Sequence, residues 1–499
     1  MFDQMGAVSR RPIARKFDGK ITWLWVAALT ALSVCVVMAI WFPLLSIGSL
    51  PSRNYNEGWN AYRQWMAAVG HPLYGEKPAL WITNYPFLSF HIVGFFGAVI
   101  GNVVLAGRII AVASLTMTAV LVGGIVRVAA GSSRGGVYAG LCLFLWIATF
   151  SPDRRAMNDP ELLGVAIATF GLFAYVKAPK SVLWSGLSAL AFTVSIFIKQ
   201  DLLAFPLSVG IHLLVTRNWR ALSVSVAVGI VAASLLLALT YRLDGPYLFA
   251  NLLQPRVYVV RNLAEESGHY LLHFGIPLVL LIVLVIRDRN APGRSFLFCL
   301  LVITHAAAIY FSGGDGVGAN VFYQPLIAVV ITCAIGICCL ERVLPQTLWA
   351  YRAFIAAILV PALAGAAFVP FQFKNDLATQ RHLSIATKAA QNTIALLRSA
   401  NGPAICEDIL LCYEAGKPLG YDPYFVNDQL LIGRLKEADV LAMLVSHHYA
   451  AIEIDGIVNT ASPVATKRRR FTKAFMQTLL AEYRPVPTDG IYSVFVPRA

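Results

Sequence analysis

The sequence predicts a polytopic membrane protein, all-α within the bilayer with about eleven spanning helices, followed by a small α/β domain. Three observations predict it. Uncharged apolar runs recur over the first three quarters of the chain, the bulk composition is too apolar for a soluble protein, and charged and turn residues return from Gln372 onward. Of 499 residues, 58% are hydrophobic and only 13% are charged, and the mean hydropathy is +0.67. Ordinary globular domains carry about a quarter charged residues.

The first run, residues 21–45, is too long for a signal-peptide core and has no small-residue cleavage site, so it reads as a retained helix. Further runs cover residues 103–126, 135–150, 162–176, 182–198, 202–215, 221–241, 270–286, 296–311, 321–340 and 353–369. Each must be helical, because unpaired backbone amides are intolerable in hydrocarbon. Arg10, Arg11, Arg15, Lys16 and Lys20 mark the N-terminus as cytoplasmic. The apolar stretch 86–101 is ambiguous by length, and charge decides it. If it crossed, Arg127 with Arg134, Lys177 with Lys180, and Arg217 with Arg220 would all fall outside; if it is juxtamembrane, all fall inside. The second choice puts juxtamembrane helix in the first outer loop and leaves the C-terminus outside. The expected domains are a basic cytoplasmic tail (1–20), a transmembrane domain (21–370) and a soluble extracytoplasmic domain (371–499).

In the last segment, 403–411, 440–454 and 491–497 read as strands, and 377–400 and 471–482 have helical periodicity. Most of the eight cysteines lie in apolar runs, where cysteine acts as a small hydrophobe. Cys406 and Cys412 do not; they are a disulfide candidate in an oxidising compartment, the other reading being two thiols. The net charge of +14 is largely accounted for by cytoplasmic tails and loops, so nucleic acid is not an expected partner. The Lys467-Arg468-Arg469-Arg470 run is an exception, read as a solvated basic face or a contact for anionic headgroups.

The first outer loop, residues 46–85, concentrates aromatic and amide side chains around Glu57, including Asn56, Tyr62 and Tyr85. Such groups suit a sugar: aromatic faces stack on it, amides bond its hydroxyls, and a carboxylate accepts a proton from a nucleophilic oxygen. The bland reading is an interfacial aromatic belt with an ordinary glutamate. The second outer loop, Arg154-Arg155-Ala156-Met157-Asn158-Asp159-Pro160, also reads as a helix start with Asp159 as cap and Pro160 in the first turn. Lys199 sits where one apolar run ends and the next begins, either for an anion or simply snorkelling. Arg256 and Arg261, in the loop 242–269, run against the usual bias and invite phosphate, though Glu265, Glu266 and Asp244 are available as ion partners. Arg108, at the outer end of an apolar run, is expected to pair with a loop carboxylate. A glycine-rich loop, residues 312–319, precedes Asn320 and Tyr323.

Asn56-Glu57-Gly58, Ala61-Tyr62, Pro72-Leu73-Tyr74, Tyr85-Pro86 and Ala106-Gly107-Arg108 together resemble the GT-C superfamily of polytopic glycosyltransferases, in particular bacterial relatives of protein O-mannosyltransferases and aminoarabinose transferases. The resemblance implies transfer of a sugar from a polyprenyl-phosphate donor to a glycan, lipid or protein acceptor on the outer side, among membrane lipids. It implies Glu57 as general base, with Asp159 as a second acid at the active site. Around them it places Asn56, Tyr62, Tyr85, Arg108, Arg154, Arg155, Asn158, Lys199, Arg256, Arg261, Asn320 and Tyr323 as substrate-binding candidates. No ligand cluster requires a cofactor; a divalent metal, magnesium or manganese, bridging Glu57 and Asp159 to the phosphate is the form a metal site would take. Position 56 is Asn where many relatives have Asp. A lipid-linked saccharide flippase and a non-catalytic glycolipid-binding relative are the alternatives; the absence of an internal repeat and the appended domain weigh against a transporter.

Overall fold

The computed structural model describes residues 18–76, 80–287, 293–343, 348–456, 458 and 470–498. Arg10, Arg11, Arg15, Lys16 and the Lys467-Arg468-Arg469 part of the basic run lie outside the described residues. The helical region begins with α1 (Asp18–Leu45), α2 (Asn56–Ala68), α3 (Leu88–Ile100), α4 (Val103–Ala130), α5 (Ser133–Phe150), α6 (Pro160–Lys177), α7 (Val182–Ile198), α8 (Ala204–Val215) and α9 (Trp219–Asp244). It continues through α10 (Leu248–Leu252), α11 (Val260–Arg287), α12 (Arg294–Ser312), α13 (Tyr323–Val343) and α14 (Leu348–Ser399). The C-terminal domain adds β1 (Ala404–Cys406), α15 (Ile409–Glu414), α16 (Pro423–Leu431), α17 (Glu437–Val445), β2 (Ala451–Asp455), α18 (Lys473–Glu482), β3 (Tyr483–Val486) and β4 (Tyr492–Pro497).

Among the described residues, α1, α4, α5, α6, α9, α12 and α13, 7 helices, are long and apolar enough to cross a membrane. That is fewer than the roughly eleven crossings expected from apolar runs. α7 and α8 are apolar but shorter, and the other two expected crossings fall in α11 and α14. α3 has 13 residues, about 20 Å at ~1.5 Å per residue, too short for a hydrocarbon core of about 30 Å.

Local signals explain where the helices start and stop. Asn102 caps α4 by accepting from the Leu105 amide, and Gly131 ends it in the left-handed conformation. Asp159 caps α6, with Pro160 in its first turn. α13 lies at the centre of the bundle, with Leu326, Ile327, Val329 and Ile331 fully buried. α9 is the opposite case. Its Val226, Ile230, Val231 and Leu235 point outward, an apolar exterior that hydrocarbon solvates and water does not.

α14 is one helix of 52 residues, about 78 Å long, and it carries the chain unbroken from the bundle into the C-terminal domain. That domain is a four-stranded sheet in the order β1-β2-β4-β3, with β1 parallel to β2 and the other pairs antiparallel. Two strand expectations need correction, and one strand was not expected. In 403–411 only β1 is extended; Asp408 then caps α15 by accepting from Leu410, a turn-forming residue overriding the apolar run. In 440–454 the first half is α17, and the chain reverses at His447, φ 53°, before β2. β3 went unread because its four residues include Arg484 and Pro485; it is an edge strand, where proline is tolerated. Cys406 and Cys412 are bonded to each other and tie α15 to β1.

The C-terminal domain rests on loop one at very close range. A Cβ added to Gly58 in α2 would lie 2.2 Å from the Leu410 amide nitrogen in α15, so only glycine lets these two backbones meet. Ser52 donates to Asp408 (2.7 Å) and Tyr62 donates to the Lys417 carbonyl (2.6 Å). Gly58→Ala is therefore expected to pry α15 from α2, costing about 1–3 kcal/mol. Limited proteolysis checks it: the variant should lose C-terminal domain protection that the wild type keeps, and equal protection would show that the close contact is dispensable.

Candidate functional site

Between the ends of the membrane helices and the C-terminal domain lies a cavity of about 350 Å3. Its walls come from six segments distant in sequence: loop one and α2, the turn before α6 that carries Arg154, the α7–α8 turn, residues 252–258, the end of α12 with the glycine-rich loop after it, and α16 with its cap. Arg154, Lys199 and Arg256 supply positive charge. Asn56, Asn84, Gln200 and Asn320 supply amides, and Tyr55, Trp59, Tyr85, Tyr258 and Tyr424 supply aromatic surface.

Each cation is held differently. Lys199 follows the last turn of α7, 5% exposed, paired with Glu161 and 3.4 Å from Asp201. Burial alone would lower its pKa, but Asp201 and Glu161 more than offset that, and the net shift is well upward. Asn320 donates to the same Glu161 oxygen at 2.6 Å. Arg154 sits on a short 3-10 turn (Pro152–Ala156), with Asp159 at 3.6 Å. Burial works against its charge; Asp159, Tyr323 and Asp153 reverse the sign and raise its pKa. Arg256 is exposed on the cavity wall, where burial raises the pKa of Asp428 and the Val257 amide and the Arg256 charge oppose that rise.

Several expected ligands are used elsewhere. Glu57 is fully buried, and its carboxylate accepts from Arg108 Nε (2.9 Å) and NH2 (2.7 Å) and from the Arg53 (2.8 Å) and Asn158 (2.9 Å) amides. With its lone pairs occupied and no surface on the cavity, Glu57 as general base does not fit this geometry, nor does it fit as a metal ligand beside Asp159. Arg108 spends its remaining donors on the Ile47, Ser49 and Pro51 carbonyls, so it braces loop one instead of meeting a substrate. Arg155 forks onto Asp376 with two 2.8 Å bonds, locking the 3-10 turn to α14. Arg261 is on the surface, paired with Glu265 at 2.6 Å.

Asn158 is buried and exchanges two 2.7 Å bonds with Gln64. Tyr62 joins α2 to the C-terminal domain, and Tyr323 is buried at the start of α13. Asp159 gives one oxygen to the Glu161 amide and turns the other toward Arg154, so it caps a helix and orients a cavity cation at once. Among the described residues, no group of three or more His, Cys, Asp or Glu side chains could hold a metal ion.

The structure brings Asn56, Tyr85, Arg154, Lys199, Arg256 and Asn320 to one cavity. It adds residues that pattern reading passed over: Asn84, Asp201, Asp315, Asp422, Tyr424 and Asp428. Asp201 and Asp315 stood inside segments already singled out, and carboxylates beside a lysine or in a glycine-rich loop were the available signal. The α16 residues had none, because only docking puts them there. Tyr424 donates to Asp315 at 3.0 Å, and Asp428 accepts from the Val257 amide at 3.1 Å. Gly316 has φ +69°, and a Cβ there would meet the Tyr424 hydroxyl.

No protein-family profile and no curated protein matches this sequence. The architecture nevertheless has solved counterparts whose fold the chain shares. The chain is similar to ArnT from Cupriavidus metallidurans bound to undecaprenyl phosphate, with a TM-score of 0.60 at 15% identity over 96% of this chain and 98% of that one. The apo state of the same protein aligns with a TM-score of 0.57 at 16% identity over the same shares.

Proposed function

We propose that this chain transfers a sugar from a polyprenyl-phosphate donor to a hydroxyl of a glycan, lipid or protein acceptor on the extracytoplasmic side of a bacterial inner membrane. In this reading the N-terminus is cytoplasmic and the C-terminal domain faces out. The observation that carries it is the convergence of Lys199, Arg154 and Arg256 on one amide- and aromatic-lined cavity at the end of an apolar bundle. A lipid phosphate leaving a sugar gains negative charge, and fixed cations aimed at that charge lower the barrier. Asn56, Asn84 and Gln200 read sugar hydroxyls, and Trp59 and Tyr85 give faces for stacking. The likeness to a fold that holds undecaprenyl phosphate in ArnT supports the donor class.

Glu57 has a supporting part in this scheme: with Arg108 it holds loop one so that Asn56 and Tyr55 face the cavity. The test is binding and transfer by purified protein in nanodiscs. Arg256→Ala is expected to weaken undecaprenyl phosphate about 10-fold or more, the loss of one charge-assisted hydrogen bond, with unchanged thermal stability because Arg256 is exposed. Native mass spectrometry measures the affinity. Equal binding by wild type and variant would remove Arg256 from the phosphate site. Wild-type protein that moved labelled lipid across liposomes without transferring sugar would favour a flippase.

A further inference from the structure

A second cavity of about 380 Å3 adjoins the first, and Tyr55, Asn56, Arg154, Gly316 and Tyr424 line both. Beyond that shared wall the second chamber is lined by Asn54, Phe150, Ser151, Asp153 and Arg470, with residues 318–319. We infer that this chamber receives the acceptor, a hydroxyl-bearing saccharide, and that Asp153 is the carboxylate that takes its proton; the inference rests on the sugar-transfer reading above.

The argument is one of sides. Displacement at an anomeric carbon needs the nucleophile opposite the departing oxygen. A donor phosphate on Lys199 and Arg256 occupies the first chamber, so its sugar reaches the shared wall at Asn56 and Arg154, and attack comes from the second chamber. Of the carboxylates near the cavities, Asp201 stands 3.4 Å from Lys199, on the phosphate's side, and Asp159 lines neither chamber, capping α6 and facing Arg154 at 3.6 Å. Glu57 is filled by four donors. Asp422 caps α16 by accepting from the Tyr424 and Phe425 amides, Asp315 accepts from Tyr424, and Asp428 accepts from Val257.

Asp153 differs. Its side chain is exposed, one oxygen accepts from Asn54 at 3.1 Å, and the other has no hydrogen-bond partner among the described residues. It also sits next to Arg154, the cation common to both chambers, which couples the proton acceptor to the charge that develops across the wall. In the step, the acceptor oxygen forms a bond to the anomeric carbon as the carbon–oxygen bond to phosphate breaks. That electron pair leaves with the lipid phosphate, the acceptor proton moves to Asp153, and water later removes it. The amides of Asn54 and Asn56 and the rings of Phe150 and Tyr55 are suited to saccharide hydroxyls and faces.

The experiment uses full-length protein in nanodiscs, with undecaprenyl phosphate as the binding probe. Transfer is followed with radiolabelled undecaprenyl-phosphate mannose, glucose, galacturonic acid and aminoarabinose, using total envelope glycans and lipids of the expression host as acceptors. Asp153→Asn is expected to bind undecaprenyl phosphate within 2-fold of wild type and to lose about 100-fold or more in kcat, the usual contribution of a positioned base. Asp153→Ala should regain part of the rate on adding formate, which a purely structural role would not show. If Asp153→Asn keeps the wild-type kcat, the departing phosphate takes the proton and the inference fails. If the variant instead loses undecaprenyl phosphate, the second chamber belongs to the donor and the inference fails likewise. Wild-type protein that neither binds undecaprenyl phosphate nor transfers any of these sugars overturns the parent reading, a result separable from both.

Discussion

Glu57→Ala is expected to destabilise the protein by about 3–5 kcal/mol, because removing one partner of a buried ion pair strands the other. Arg108 is 1% exposed, and without Glu57 its hydrogen bonds among the described residues would go to the Ile47, Ser49 and Pro51 carbonyls alone. The Arg53 and Asn158 amides would lose their acceptor as well. Thermal unfolding in nanodiscs measures the loss. The same pair separates scaffold from chemistry. Glu57→Gln combined with Arg108→Met removes both charges while keeping similar volume, so it should unfold well above Glu57→Ala. If this double variant folds and transfers sugar within about 10-fold of wild type, Glu57 is an anchor; a folded but inert double variant would restore it as a base.

Lys199→Met carries the largest functional effect, a fall of about 10²–10³ in kcat from losing a fixed cation at the developing phosphate charge. Stability falls too, since Glu161 would be left buried with Asn320 as its remaining partner. Pairing Lys199→Met with Glu161→Gln removes the stranded charge and is expected to recover the fold but not the activity. Transfer at the wild-type rate by that double variant would show that Lys199 balances Glu161 and does nothing for the donor.

The candidate site was legible in parts. Asn56, Tyr85, Arg154, Lys199, Arg256 and Asn320 could be singled out because amides, aromatics and cations at the ends of apolar runs are unusual in themselves. Arg108 and Arg155 looked equally exceptional, and both turned out to be structural. A charge that is expensive in an apolar segment attracts notice whether its partner is a ligand or another side chain, and the sequence does not contain the pairing. Arg261 is a milder case, since its partner Glu265 lies one helical turn away and i,i+4 spacing was visible. The strand errors near Cys406 and Val440 have a similar cause: an apolar run of strand length is also one or two turns of buried helix.

The sequence by itself determined that the chain lives in a bilayer, which helices are apolar, and that a small mixed domain follows them. These follow from local quantities, residue by residue free energies of transfer and the period of the pattern. Only the tertiary structure decided which charged groups meet, that Glu57 closes on Arg108, that α16 roofs the cavity, and that a second chamber opens beyond Arg154. Those are contacts between segments as much as 369 residues apart, and nothing in the local energetics of either segment records its partner.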